Sequence, residues 1–125
     1  MDISRLRQQI ARLVQRRKSL ERENLRPGEM IEGSLVEHYK PCGRASCRCK
    51  TEGRLHGPYW YISTKKGGKT SLIYVKKVDL VRTRRLTENY RRFQSNMAKL
   101  RQIHRQINEL LGKIRAYYIE EGKRG

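Results

Sequence analysis

The chain has 125 residues, which suits one domain or a small head joined to helices and is short for two independent cores. Only 36% of residues are hydrophobic, and 30 Lys and Arg against 12 Asp and Glu leave a formal charge of +18, a self-repulsion that a polyanionic partner would relieve. No apolar stretch approaches the ~20 residues that span a bilayer, and Asp2, Arg5 and Arg7 interrupt any apolar run after Met1, so a soluble, cytoplasmic protein is expected.

The first predicted element is an amphipathic helix over residues 1–26. Ile3, Leu6, Ile10, Leu13 and Leu20 follow alternating steps of three and four, with Arg17 at the seam position between the last two. Pro27 and Gly28 end it after Asn24, and Arg7, Arg12, Arg16 and Lys18 point outward. The helix lacks the aromatic anchors of one that lies on an anionic membrane.

A head follows over residues 33–77. Alternation predicts strands at Leu35–Tyr39, Tyr59–Thr64 and Ser71–Lys76, with Gly67-Gly68 closing the last hairpin. In the second strand Tyr59 and Tyr61 share one face, and Trp60 and Ile62 the other. Trp60 and Ile62 are assigned to the core and the tyrosines to solvent; Tyr74 adds a further ring in the third strand.

Between the first two strands stand Cys42, Cys47, Cys49 and His56, with the spacing C-x4-C-x-C-x6-H. Thiolates and an imidazole on a tight loop can converge on one ion, and zinc prefers that tetrahedral sulfur and nitrogen set. Pro41, Gly43 and the His56-Gly57-Pro58 run supply the turns. Zn2+ is the expected cofactor, and with three thiolates and one imidazole it has no open position, so its role is structural. The odd cysteine count suits a reducing compartment, and the lack of C-x-x-C argues against a redox pair. The plain alternative is three free or buried thiols beside an unrelated histidine. His38 and His104 are weaker ligand candidates.

Basic residues crowd the same region. Lys40, Arg44, Arg48, Lys50 and Arg54 flank the knuckle, Lys65, Lys66 and Lys69 sit at the hairpin, and Lys76, Lys77, Arg82, Arg84 and Arg85 lead into the next element. Such a run can track phosphates, and Tyr59 and Tyr61 can stack on unpaired bases. Gly67-Gly68-Lys69-Thr70 is no P-loop: Ser63 stands where the upstream glycine belongs and the run enters a strand. No nucleophile pairs with a base, so the chain is not expected to be an enzyme.

A long helix over residues 79–121 closes the chain, with Asp79 as its cap and Gly122 just past its end. Its expected seam is Leu86, Tyr90, Phe93, Met97, Leu100, His104, Ile107, Leu111, Ile114 and Tyr118, broken in apolar character only by His104. The fold class is therefore α+β: a small three-stranded antiparallel sheet with a zinc knuckle, inserted between two long helices that form an antiparallel coiled-coil-like hairpin. If the head brings the helix ends together, the first helix covers only the first half of the second. Ile107, Leu111, Ile114 and Tyr118 are then left for a homodimer or another helical partner.

Cys42-Gly43, Cys47-x-Cys49, His56-Gly57-Pro58-Tyr59-x-Tyr61-x-Ser63, Gly68-Lys69-Thr70 and Tyr74-Val75 together resemble a family of small archaeal and bacterial proteins of unassigned function. The resemblance runs from about Gly33 to Phe93, implies a cysteine-rich head followed by a helix, places the protein in a prokaryote and carries no activity. The first helix falls outside it.

The expected function is a zinc-stabilised, non-catalytic nucleic-acid-binding protein that grips the phosphate backbone, with RNA preferred over DNA because the tyrosines can stack and no helix-turn-helix is recognisable. The alternatives are a DNA-binding accessory or architectural protein of a mobile element, and a coiled-coil adaptor for an acidic protein.

Overall fold

The structure, a computed structural model, describes residues 2–125, the side chains of Lys50 and Thr51 excepted. Helix α1 spans Ile3–Leu25, strand β1 Ser34–Lys40, a short helix α2 Arg48–Thr51, strands β2 and β3 His56–Lys66 and Lys69–Val75, and helix α3 Leu80–Arg124, entered through a 3-10 turn at Lys77–Asp79. The chain divides into two compact units, Met1–Pro27 with Phe93–Gly125, and Gly28–Arg92.

The first unit is built from two helices. The Asp2 carboxylate caps α1 by accepting from the Ser4 and Arg5 backbone N–H groups at 3.0 and 3.3 Å, which satisfies donors the first turn leaves open. Leu6 and Leu20 are buried, and Leu20 joins Ile103 and Ile107 in a cluster edged by Ile10, Leu13, Val14 and Leu100. The helices run in opposite directions: Arg7 Nη2 donates to the Tyr118 hydroxyl at 2.5 Å near one end, and Asn24 Nδ2 to the Phe93 carbonyl at 3.2 Å near the other.

Two expectations are corrected here. Helix α1 meets α3 from Phe93 to Tyr118, not at its beginning, so the seam is not bare from Ile107 onward: Ile107 is buried against Leu20. Leu111 and Tyr118, at 48% and 50% exposure, do stay open. The seam itself is also shifted. Phe93, Leu100, Ile107 and Ile114 keep their places, but the positions between them are Asn96, Ile103, Leu110 and Tyr117, all buried or half-buried, while Met97, His104, Leu111 and Tyr118 face solvent. The polar seam residue is thus Asn96, not His104. Its amide donates to Glu23 Oε2 at 2.9 Å and to Asn24 Oδ1 at 3.0 Å, so its burial leaves no donor unmet. Helix α3 also runs on past Gly122 to Arg124, and Asp79 lies in the 3-10 turn before it.

The second unit holds the sheet, ordered β1-β2-β3 and antiparallel throughout. Gly67 and Gly68, with φ of 59° and 79°, form the two-residue turn with both central residues left-handed, the geometry whose twist matches a hairpin. A loop of two residues fixes the register: Lys66 faces Lys69, and Tyr61 faces Tyr74. Period-two alternation then puts Trp60 and Val75 on one face and Tyr61 and Tyr74 on the other. On the first face Val75 is buried and the Arg84 guanidinium of α3 lies 5.0 Å from the Trp60 ring. Thr83, Leu86 and Thr87 of α3 are buried, and the Leu86 carbonyl accepts from the Ile31 N–H at 3.1 Å. No helix among the described residues is long and apolar enough to cross a membrane.

Candidate metal centre and basic surface

The knuckle is assembled by the pairing of β1 and β2. Lys40 at the end of β1 stands opposite His56 at the start of β2, so Cys42, two residues beyond Lys40, returns to the level of the imidazole. Between them the chain makes one turn and enters α2, with Cys47 at the cap position and Cys49 inside the helix. The close approach depends on Gly57. At φ 147° a side chain is strained, and a Cβ there would come within 2.8 Å of both the His38 carbonyl and the Tyr39 ring.

The four expected donors do converge. The Cys42, Cys47 and Cys49 sulfurs and a His56 ring nitrogen all lie within 4.8 Å of one another. Cys42 and Cys49 sulfurs are 3.5 Å apart, and Cys47 Sγ is 3.0 Å from His56 Nε2. Donors on a tetrahedral ion at thiolate and imidazole bond lengths stand ~3.6–3.8 Å apart. The cluster brackets that spacing, so it can hold one metal ion. Cys49 is buried and the other three are half-buried, which shields an ion without sealing it off. The backbone at Cys49, then hydrogen bonds from Cys42 and His56, lower the Cys47 thiol from 9.0 to about 6. Cys47 is therefore a thiolate at neutral pH, the form that ligates metal.

The basic residues are spread unevenly over the unit that carries this cluster. Lys65 and Lys66 end β2 and Lys69 opens β3, so all three stand exposed at the hairpin tip. Arg44, Arg54, Lys76, Lys77 and Arg85 are exposed, and Arg48 opens α2. The Lys50 side chain lies outside the described residues. Arg82 pairs with Glu29 at 3.2 Å and Arg84 covers Trp60, so these two already have partners within the protein.

The tyrosines divide in a way alternation alone does not reveal. Tyr61 is half-buried, not open as expected. Lys40 Nζ donates to its hydroxyl at 2.6 Å and sits 4.7 Å from its ring centroid, while the His38 and Tyr74 rings pack at 5.1 and 5.7 Å. Tyr59 remains 36% exposed and Tyr74 55%. Tyr74, expected as a further ring of the third strand, and His38, expected as a weaker ligand candidate, both pack on Tyr61, and the two-residue turn at Gly67-Gly68 is the signal that places Tyr74 opposite Tyr61.

Neither the curated proteins nor the solved structures contain a match to this chain. A family model does match, over residues 3–85, and the match takes in α1, which the resemblance in the sequence had left outside, together with the cysteine cluster, the sheet and the first turns of α3. The chain belongs to the family described as a domain of unknown function, DUF6788.

Proposed function

We propose that the protein is a zinc-stabilised, non-catalytic nucleic-acid-binding protein, with a basic head that holds the phosphate backbone and RNA as its preferred polymer. The observation that carries the reading is the excess of 30 basic over 12 acidic residues, together with the exposed Lys65, Lys66 and Lys69 on the hairpin tip, at the end of β2 opposite the four-donor cluster. Zinc is favoured over other ions by the three-sulfur, one-nitrogen donor set, and four protein ligands leave it no site for substrate. The helices act as an antiparallel coiled-coil hairpin, a handle rather than a reading head.

The test is salt dependence. Engagement of about six phosphates gives a slope of log affinity on log salt near −5 on duplex DNA, and a shallower one on single strands. Replacing Lys65, Lys66 and Lys69 together by alanine flattens that slope by up to about 3, at every sequence tried. A slope near zero for the unaltered protein removes the electrostatic reading. Elemental analysis of the purified chain is expected to give one zinc per molecule.

A further inference from the structure

Strand β2 is longer than its neighbour β3. It runs for 11 residues against 7, and the pairing between them begins at Trp60 opposite Val75, so His56 to Tyr59 have no β3 residue across from them. At this step lies a groove of about 270 Å³ lined by His56, Gly57, Pro58, Tyr59, Trp60, Tyr74, Val75 and Lys77. Its size falls below the ~300–1,000 Å³ of sites for drug-sized ligands, which suits one flat ring. Tyr59 and Tyr74, at 36% and 55% exposure, line it together with Lys77, and no carboxylate lines it. Tyr61, by contrast, is occupied by Lys40 and His38 and supports the edge of Tyr74, at an interplanar angle of 69°.

We infer that this groove takes one unpaired base of a single-stranded polynucleotide, with Tyr59 and Tyr74 as stacking surfaces and Lys77 beside the phosphate. The inference rests on the nucleic-acid reading above and narrows it. An aromatic face accepts any base, whereas paired bases are stacked on each other and cannot enter, so the groove discriminates strand state rather than sequence. The flanking charge is of the right sign for the polymer, and the chain as a whole carries +18.

The chain's one tryptophan, Trp60, is among the residues that line the groove, so its fluorescence serves as a reporter of occupancy. The metal-loaded protein is titrated with a short oligouridylate, with the matching oligothymidylate, and with that thymidylate annealed to its complement. Single strands are expected to change Trp60 emission and the duplex to leave it unaltered. Tyr74→Ala and Tyr59→Ala each weaken single-strand binding roughly 5- to 150-fold, the range for loss of one stacked base, without changing duplex affinity, and Tyr74→Phe retains wild-type binding. Both tyrosines are partly exposed, and retention of metal by the variants confirms that they fold. Preference for uridylate or for thymidylate identifies the strand as RNA or DNA, and either outcome supports the groove. If neither alanine variant loses single-strand affinity while duplex binding keeps its salt slope, the groove proposal fails and the phosphate reading stands. If the unaltered protein binds no polynucleotide at low salt, both fall.

Discussion

Cys47 shows how strongly one side chain can depend on its neighbours. Its thiol is pulled from 9.0 to about 6 by the Cys49 backbone and by Cys42 and His56, so its folded value lies below its unfolded one. The stability linked to its thiolate is therefore fully present above the unfolded value and is lost as pH falls through about 6. In metal-free protein the ultraviolet thiolate absorbance should titrate for one cysteine near pH 6, and Cys47→Ser should abolish that step. Ten residues away, Gly57 performs a purely steric task. Gly57→Ala forces a Cβ to within 2.8 Å of the His38 carbonyl at a φ of 147° and should cost about 1–3 kcal/mol, visible as a lowered midpoint in thermal unfolding. The four-donor cluster was legible in the sequence because its residue types have few other reasons to crowd together. The state of Tyr61 was not, because its partners Lys40, His38 and Tyr74 come from two other strands.

Helix α3 carries the clearest limit to periodicity as a guide. Phe93, Leu100 and Ile107 fix one stripe, but both the residue three further on and the residue four further on can complete it, and at 103/104 and 110/111 only packing against α1 decides. The choice falls on the face that carries Asn96, because Asn24 and Glu23 of α1 stand opposite with acceptors for it. A paired polar residue in an apolar seam sets register at some cost in stability. Asn96→Ala should destabilise the hairpin by about 1–3 kcal/mol, since it leaves the Asn24 oxygen without its donor. Replacing Asn24 and Asn96 together by leucine should restore or raise the melting midpoint while broadening the amide resonances of α1, the sign of alternative registers. In the sheet the elements were legible from alternation and from Gly67-Gly68; the strand ends were not, and His56 proves to be the first residue of β2.

At the scale of the whole chain, the two units are held by different means. Leu20, Ile103 and Ile107 give the helical unit an apolar cluster of its own, whereas in the Gly28–Arg92 unit the buried apolar side chains are Cys49, Val75 and Leu86, and Cys49 is one of the four candidate donors. With zinc bound as proposed, a chelator should therefore erase amide protection in β1 and β2 while leaving it around Ile103 and Ile107, as hydrogen exchange can resolve. The order of elements followed from composition and spacing. The stretch of α3 that α1 covers did not, because it depends on how the intervening residues route the chain between them. Past Val75 the margin of β2 turned away from β1 has no β3 residue opposite it, and at that end β2 begins with His56 of the cysteine cluster. Stripped of its ion, the chain presents a loose ribbon end to other molecules of its own kind, and storage in the presence of chelators should drive self-association through strand pairing.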